Sequence, residues 1–367
     1  MRFNFTKSIL TICLGIVCSA NSNLLAQTNQ AIPDPESLDL GLFLYGGEEA
    51  ASELMGNYLN PVFVGFGYGT ANGWYNTAKT HKPLGFDLTA TVSLAKAPSS
   101  ELFFDFLSAG DTNNGGIRTA SQNTESLPTV FGDDSQVLLE SSLTAPSVSG
   151  QTETATAQFY APPGLNLSDD VNGYVPMPMI QLGLGLIKNT DLKVRWMPTQ
   201  ESEEDGYKVS MFGLGLMHDF KQWIPGLKHI PIDMSILVGY NRINTTLDLE
   251  NGLIDGEDQV GEIGINSWTY QVLVSKKLSI LTLYGGFGYN NSSSSLDIKG
   301  TYLIEGEDNN GTTVTIPLED PVSETYVSNG FRGTAGLRLK FAIITLHADY
   351  TFQEYNTITA GIGLSIR

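Results

Sequence analysis

The C-terminal stretch from Phe331 to Arg367 reads FRGTAGLRLKFAIITLHADYTFQEYNTITAGIGLSIR, and it decides the fold of this chain. From Phe331 to Phe341, apolar or small residues alternate with Arg, Lys, Thr and Gly. The alternation returns over 344–352 and again over 357–366. A period of 2 predicts three consecutive β-strands of about 10 residues each, apolar on one side only.

The polar sides of these strands indicate a membrane protein. A strand of a soluble sandwich turns Lys, Glu and Thr to the solvent, whereas here the polar faces carry mostly Gly, Ser and Thr. Apolar residues facing lipid, alternating with polar residues facing a lumen, are typical of membrane-spanning strands of about 10 residues. The sequence therefore predicts an all-β protein, a transmembrane antiparallel up-and-down β-barrel.

The same pattern, followed back from the C-terminus, gives the number of strands. Nine strands are predicted between Val175 and Arg367, two at 62–68 and 84–94, and three weak ones within 97–172. The sum is about 14 strands, or about 12 if the middle third forms a loop. Short connections at 188–191, 275–277 and 340–342 alternate with long ones at 197–207, 244–267 and 291–329. Because short turns of such barrels face the periplasm, both termini are expected there.

The N-terminal residues predict export. Arg2 and Lys7 precede an apolar run at 9–17, and small residues lead to Ala26, so residues 1–27 are interpreted as a signal peptide. Both cysteines of the chain lie within it, at 13 and 18. The mature chain would then have no thiol, which excludes disulfides and thiolate chemistry. No later segment reaches the roughly 18 consecutive apolar residues of a spanning helix.

Residues 28–60 differ from the rest of the chain. Good helix formers with apolar residues at helical spacing predict a short helix over 48–59, ended by Asn60-Pro61. This segment is expected to plug the barrel or to form a periplasmic extension. The barrel itself is expected to occupy residues 61–367.

The charge of the chain limits its partners. It has 39 acidic and 20 basic residues, a formal net charge of −19. Such a surface argues against nucleic acid, which needs a basic footprint. The acidic residues cluster between strands, where they predict solvated loops or, as the alternative, divalent-cation binding next to lipopolysaccharide. The run 305–311 lacks the ligand spacing of an EF-hand loop, and no cofactor is predicted.

Strand parity sends several ionisable residues into the lumen. They form the candidate ligand-binding set Lys193, Arg195, Arg332, Arg338, Lys340, His347 and Asp349. A basic inner wall is a candidate lane for a carboxylate or another anion. The alternative is a ladder of ion pairs that fills and rigidifies the barrel, because charges in a confined lumen need partners.

A catalytic interpretation of the lumen has little support. His347 and Asp349 share a face, and Ser365 or Thr345 would be the nucleophile, yet neighbours on one face follow from period 2 alone. No nucleophile motif accompanies them, so no enzyme is predicted. His81, His218 and His229 fall in connections and are expected to be solvated. Aromatic residues near strand ends are interpreted as interfacial anchors, as is Trp223.

Residues 65–89, GFGYGTANGWYNTAKTHKPLGFDLT, resemble an uncharacterised family of outer-membrane barrel proteins of Bacteroidota. The resemblance extends through 174–178 and the closing strands; it implies a fold and a compartment and no catalytic residues. The helix, the Asn60-Pro61 junction and the strand number are more distantly similar to the long-chain fatty-acid transporters of the outer membrane, in which an N-terminal segment plugs the barrel. This chain has Asn-Pro-Val where that family usually has Asn-Pro-Ala, and it ends in Arg367, not an aromatic residue.

Together these observations predict a monomeric barrel among outer-membrane lipid and lipopolysaccharide. The first expectation is a channel or transporter that binds a small hydrophobic or amphipathic molecule, with Arg338 and Lys340 holding its head group. The alternative is a non-transporting scaffold that partners a secretion or surface-attachment system. A lipid-modifying barrel enzyme is a third, less favoured class.

Overall fold

The computed structural model describes residues 40–366, apart from 107–109, 111–114, 121–125, 134–136, 165–172, 203–205, 228–229 and 250–253. The predicted signal peptide, residues 1–27, lies outside the described residues, as do His229 and Arg367.

The described chain forms one long helix and sixteen strands. A 3-10 turn at Leu40–Gly46 leads into helix α1 (Gly47–Thr70), and shorter 3-10 turns lie at Ser99–Glu101 and Lys221–Trp223. The strands are β1 (Phe86–Lys96), β2 (Phe103–Asp105), β3 (Gly115–Thr119), β4 (Ser126–Pro128), β5 (Leu138–Pro146), β6 (Thr152–Tyr160), β7 (Tyr174–Leu186), β8 (Thr190–Ser202), β9 (Tyr207–His218), β10 (Asp233–Asp248), β11 (Gly256–Leu278), β12 (Leu281–Glu307), β13 (Thr313–Glu319), β14 (Val322–Phe341), β15 (Ile344–Phe352) and β16 (Thr357–Ile366).

Ten of these strands close into an antiparallel barrel. The ring runs β1, β7, β8, β9, β10, β11, β12, β14, β15 and β16, and β16 pairs with β1 to close it. Most neighbours in the ring are also neighbours in the chain; the exceptions are the insertions between β1 and β7 and between β12 and β14. The predicted antiparallel up-and-down barrel is confirmed.

The predicted number of about 14 strands is wrong, and so is the alternative of about 12. The nine strands predicted after Val175 are all present in the ring. However, the segment predicted as the first strand, 62–68, belongs to α1, and the strands of the middle third lie outside the ring. The barrel therefore begins at Phe86, not at residue 61.

The outer face of the ring is apolar and the inner face is mostly polar. On β16, Ile362 is 56% exposed to the surroundings while Thr359 is fully buried in the lumen. Leu216 on β9 is likewise 52% exposed. Alternation of this kind places the apolar side chains towards lipid.

The two ends of the barrel differ. Tight turns join β7 to β8, β11 to β12 and β14 to β15, and we call this the short-turn end. At the other end the strands run on: β11 has 23 residues and β12 has 27. Much of the sequence predicted as long loops at 244–267 and 291–329 is therefore strand.

The extended strands support a cap, which we define as β2–β6, β13 and the connections between them. β13 pairs with β12, and β6 meets β12 at Glu307. Its interior is apolar, with Ile117, Phe131 and Phe159 all nearly inaccessible. This apolar cluster continues without a break into the upper lumen of the barrel. The cap end and the barrel thus share one core.

Helix α1 lies inside this core. The prediction that it ends at Asn60-Pro61 is wrong, because the helix continues through Pro61 to Thr70. Proline in a helix interior removes a hydrogen bond to the residue four positions earlier and costs about 3 kcal/mol. Here that earlier residue, Asn57, is exposed, and burial of Phe63 and Tyr68 at 1% and 0% exposure offsets the cost. None of the described helices is both long enough and apolar enough to cross a membrane.

Candidate functional site: the filled lumen

Residues 47–81 run from the cap end through the lumen to the short-turn end, and we call them the plug. At the cap end, Gly47 lies against Leu143 of β5. Further down, Gly65 faces Val175 at the start of β7. At the short-turn end, the backbone N–H of His81 donates to Asp191 of β8 over 2.8 Å. The sequence expectation that an N-terminal segment plugs the barrel agrees with this arrangement, and the plug reaches well beyond residue 60.

The half of the plug nearer the cap is helix α1, and it fits inside the barrel because its residues that face the wall are small. A Cβ atom built on Gly65 would lie 2.4 Å from Val175 Cγ2, and one on Gly67 would lie 2.5 Å from Ser328 Oγ. Ser292 also donates to the Gly67 carbonyl over 3.3 Å. A narrow barrel has room for a helix only where side chains are missing at the contacts, so these glycines place α1.

Arg195 holds the C-terminal end of α1. Its guanidinium donates to the Thr70 carbonyl over 2.9 Å and to the Asn72 carbonyl over 2.7 Å, while Nε donates to Gln181 over 3.0 Å. Asn241 also donates to the Thr70 carbonyl, over 2.9 Å. The last carbonyls of a helix have no intrahelical donor and carry partial negative charge, so a cation is favourable there. Arg195 is only 1% exposed.

Trp74 completes this contact from the other side. The Arg195 guanidinium lies 3.6 Å from the centre of the Trp74 ring. The ring rests on a pair of glycines in neighbouring strands, Gly215 and Gly239, which are register partners. Built Cβ atoms would lie 2.8 and 2.5 Å from the indole. The missing side chains at these two glycines leave room for the indole against the wall. We call Arg195, Trp74 and Asn241 the plug clamp.

A second arginine binds the plug on the opposite wall. Arg332 of β14 donates to the side-chain oxygen of Asn72, which also accepts from Thr351 over 2.8 Å. The Asn72 amide in turn donates to the Tyr68 carbonyl over 2.8 Å. Asn72 therefore ties the last turn of α1 to two strands.

Below the clamp the plug is an irregular chain fixed by single hydrogen bonds. Tyr75 donates to Gln271 over 3.0 Å, and Ser275 accepts from the backbone N–H of Ala78 over 3.0 Å. Ser235 donates to the Ala78 carbonyl over 2.6 Å. Buried polar groups are generally hydrogen-bonded, and these Ser and Gln residues of the wall supply partners for polar groups of the plug.

The plug leaves the lumen through a carboxylate-imidazole cluster. The His81 ring lies between two aspartates, with Nδ1 2.8 Å from Asp191 and Nε2 3.3 Å from Asp87. Thr89 donates to Asp87 over 3.1 Å. The prediction that His81 is solvated is wrong: it is 1% exposed, because the connection that carries it enters the barrel. His218 is half-buried, with its ring between Thr190 and Trp223.

The lumen parity predicted from the sequence is correct. Lys193, Arg195, Arg332, Arg338, His347 and Asp349 are all buried on the inner face, and Lys340 is half-buried at the short-turn end, where it donates to the Ser365 carbonyl over 2.9 Å. Arg338 and His347 are register partners. Asp349 accepts from Tyr284 over 2.8 Å.

The seven candidates do not form one site. Arg195 and Arg332 bind the plug and do not line an open path for a ligand. The wall residues that also bind the plug, which are Gln181, Asn241 and Asp191, were not identified from the sequence. Neither were the plug residues Asn72, Trp74 and His81. The sequence feature that could have indicated their burial was the mixture of polar and aromatic residues in 71–81, which is unusual for an exposed loop. Within the described residues, no group of three or more His, Cys, Asp or Glu side chains is placed to hold a metal ion.

These features define a class: a ten-stranded β-barrel closed by its own N-terminal segment. The chain belongs to a family of unknown function, DUF6588, whose pattern matches residues 6–366. None of the curated proteins compared matches the sequence.

Solved structures with limited similarity are outer-membrane proteins. The translocator domain of the autotransporter NalP from Neisseria meningitidis is 12% identical, covers 78% of this chain and 90% of its own, and has a TM-score of 0.28. The attachment invasion locus protein Ail of Yersinia pestis is 11% identical over 48% of this chain and 91% of its own, with a TM-score of 0.22. The transport unit of AIDA-I from Escherichia coli is 9% identical over 83% and 99%, with a TM-score of 0.25. Scores of this size do not establish a shared fold, so the barrel assignment rests on the strand pairing itself.

Proposed function

We propose that this protein is an outer-membrane barrel held closed by its plug, and that it acts as a scaffold that presents the cap outside the cell. The observation that carries the proposal is the contact of the plug with the wall at every level, from Gly47 to His81. A path for solutes through the lumen would require these contacts to break. The cap and the plug share one apolar core, so the closed lumen also supports the presented domain.

The outer-membrane location is part of this proposal. The apolar outer face of the ring and the signal peptide predicted at 1–27 support it, and lipopolysaccharide would surround the cap end. A monomer is expected, because the closed ring leaves no strand edge inside the membrane to pair with a second copy.

Closure is tested by conductance in planar lipid bilayers. Wild-type protein is expected to give no steady ion current, whereas the double variant Arg195→Gln, Asn241→Ala, which loosens the plug clamp, is expected to give transient openings. Steady current through the wild type would overturn the closed-barrel proposal.

The scaffold role is tested separately by cross-linking in cells. A photoreactive residue at Val148, which is 68% exposed in the cap, is expected to capture one partner in stoichiometric amount. The same residue at Leu54, buried in α1, serves as the control. Equal results at the two positions would argue against a scaffold.

The second candidate is a transporter for a small hydrophobic or amphipathic molecule, similar to the fatty-acid transporters. The upper lumen favours it, because the wall around α1 is lined by flexible and apolar side chains, among them Met177, Met179 and Met211, which are all buried. Methionine adapts to ligands of different shape. A ligand would take the place of α1 in the part of the lumen nearer the cap. Arg338 and Lys340, at the short-turn end, would lie near its head group.

A reversible cross-link separates the two candidates. A Cβ built on Gly69 lies 3.2 Å from Met177 Cβ, a few tenths of an ångström below the usual range of about 3.5–4.5 Å for a disulfide. The pair Gly69→Cys, Met177→Cys therefore locks the plug when oxidised, in a mature chain predicted to have no other thiol. A transporter would lose uptake of a fluorescent fatty acid on oxidation and regain it on reduction. A scaffold would show no difference.

That the protein is not an enzyme stays an expectation. In the described structure, neither ring nitrogen of His347 has a hydrogen-bond partner, so no nucleophile is engaged there. Loss of a lipid-hydrolysing activity in His347→Ala, with Lys340→Ala unaffected, would contradict the expectation.

A further inference from the structure

The short-turn end of the barrel exposes apolar side chains at the tips of its turns. Leu84 is 93% exposed, Ile187 is 71% exposed, and Ile280 and Ile343 are 51% and 50% exposed. Turns that face water are usually built from Gly, Asn, Asp and Ser. Four separate segments of this chain place a large aliphatic side chain at the same end, which indicates that this end does not face water alone.

The backbone adds an independent observation. Leu84 has φ +69° and Ala342 has φ +53°, a region that side chains other than Gly, Asn and Asp rarely adopt. Glycine would relieve the strain at both positions. The backbone N–H of Leu84 donates to the Gly185 carbonyl over 3.0 Å, a bond that glycine would also make. The fold does not bury the leucine side chain, so a contact outside the protein is the reason for a leucine at this position.

The apolar tips continue the lipid-facing belt of the ring. The last outward residues of the neighbouring strands are also apolar and exposed, including Leu278, Phe341 and Ile366 at 45%, 50% and 50%. The connection from β9 to β10 adds Trp223, which is 64% exposed. Tryptophan at a barrel rim is typical of the interface between hydrocarbon and head groups.

The charges at this end are positive, although the chain as a whole is acidic. Exposed lysines there include Lys82, Lys188, Lys276 and Lys277. The aspartates of the described residues at this end are half-buried or buried. Asp219 accepts from the backbone N–H of Lys221 over 2.9 Å, and Asp191 lies against His81. The opposite end carries exposed acidic residues such as Glu262, Glu305 and Asp320.

Lys276 shows how the two kinds of side chain combine. It shares the outward face of β11 with Val272 and Val274 and pairs with Leu283 of β12. A lysine in this position lays its hydrocarbon stem along the apolar belt and places its ammonium at head-group depth.

We propose that this end, which we call the basic rim (Lys82, Leu84, Ile187, Lys188, Trp223, Lys276, Lys277, Ile280 and Ile343), binds anionic phospholipids of the inner leaflet of the outer membrane. Short turns of such barrels face the periplasm, where the leaflet consists of phospholipid. Apolar tips enter the boundary of the acyl chains, and the lysines pair with phosphate groups. Contact with lipid at this end fixes the depth and direction of the barrel. This binding rests on the proposed outer-membrane location and does not require the plug to move.

The test compares two variants with the same change in charge. The rim variant replaces Lys82, Lys188, Lys276 and Lys277 by Gln; the control variant replaces Lys96, Arg118, Lys208 and Lys299, which lie at the cap end. Full-length proteins are reconstituted into nanodiscs of phosphatidylcholine with or without phosphatidylglycerol, then released for native mass spectrometry. We expect the wild type and the control to retain phosphatidylglycerol, and the rim variant to retain it about tenfold more weakly.

A second readout uses the apolar tips. The triple variant carries Ile187→Asn, Ile280→Asn and Ile343→Asn; asparagine suits these turns and leaves the net charge unchanged. We expect this variant to retain less phosphatidylglycerol. In phosphatidylglycerol, its heat-modifiable gel shift is expected at a lower temperature. Equal retention by the rim and control variants, or equal retention of phosphatidylcholine and phosphatidylglycerol by the wild type, would overturn the proposal. So would a stoichiometric protein partner cross-linked to Ile280 in place of lipid.

Discussion

Arg195 shows why a buried charge in this lumen is not by itself a sign of a ligand. Its donors go to the Thr70 and Asn72 carbonyls and to Gln181, so the cation is satisfied by the protein. A hydrogen bond from a charged donor contributes about 1.5–3 kcal/mol. Removing Arg195 takes its donor from the Asn72 carbonyl, while the Thr70 carbonyl still accepts from Asn241.

We therefore predict that Arg195→Gln lowers the free energy of unfolding by about 2–4 kcal/mol. The plug should also become sensitive to protease near Thr70. Both effects are measured on the protein in lipid vesicles, by urea titration with tryptophan fluorescence and by limited proteolysis. The matched control is Arg242→Gln, on an exposed side chain of β10. An unchanged plug in Arg195→Gln would mean that the clamp does not hold it.

Glu101, in the 3-10 turn before β2 at the cap end, makes a pH-dependent contribution to stability. Burial raises the pKa of its carboxyl, and the charge of Glu354 raises it further, against a hydrogen bond from Asn60. A raised pKa means that the folded protein holds the proton more tightly than the unfolded chain. Stability is then highest below the ordinary glutamate pKa of about 4.3 and falls as pH rises through the raised folded pKa.

We predict that Glu101→Gln stabilises the protein at pH 7 and flattens the dependence of stability on pH above about 4.3. Unfolding midpoints between pH 4 and pH 7 measure this, with the exposed Glu319→Gln as the control. If the wild type and Glu101→Gln have the same slope, the carboxyl is not penalised in the fold.

At the scale of elements, α1 is the feature whose extent was predicted wrongly. The run 62–69 contains valine, aromatic residues and alternating glycines, which favour a strand when only local preference counts. In the lumen the same glycines touch the wall on several sides of the helix, at Gly65, Gly67 and Gly69. Tertiary contact decides between the two structures, because each local preference is worth less than about 1 kcal/mol per residue.

We predict that Gly65→Val lowers stability by about 1–3 kcal/mol through overpacking against Val175. Valine is a better helix former than glycine, so any loss must come from the contact and not from helix propensity. Asn57→Val, on the exposed face of the same helix, is the control and is expected to change stability little. A neutral Gly65→Val would contradict the close approach of α1 to β7.

At the scale of the whole molecule, the two ends of the barrel differ in charge, and with the proposed outer-membrane location this difference would set the direction of the barrel. The cap end is acidic and built from extended strands, and the short-turn end is basic and apolar. Leu40, the first described residue, packs against the core of the cap end. Strand β16 ends at the short-turn end, where the C-terminus was expected, and the expected position of the N-terminus lies outside the described residues.

We predict that Asn309→Cys, in the turn after β12, reacts with a membrane-impermeant maleimide on intact cells. Ser279→Cys, in the turn between β11 and β12, is expected to react only after the outer membrane is permeabilised. Each variant is the control for the other. The reverse pattern of labelling would place the cap in the periplasm.

The sequence by itself determined the barrel. Membrane-spanning strands must alternate strictly, because one face meets lipid and the backbone can only be satisfied by neighbouring strands. That constraint is local and periodic, so β7–β12 and β14–β16 were predicted, and β15 was placed at 344–352 as observed. The inward direction of Lys193, Arg195 and His347 follows from the same parity.

Only the tertiary structure decided what those inward residues do. Ser, Thr, Gln and Arg on an inner wall have the same pattern whether they face water, a ligand or the backbone of another segment. The clamp joins residues more than 120 positions apart, as Arg195 and Thr70 are. A local period contains no information about such a distant pairing. The path of residues 47–81 through the ring could therefore be found only in the three-dimensional structure.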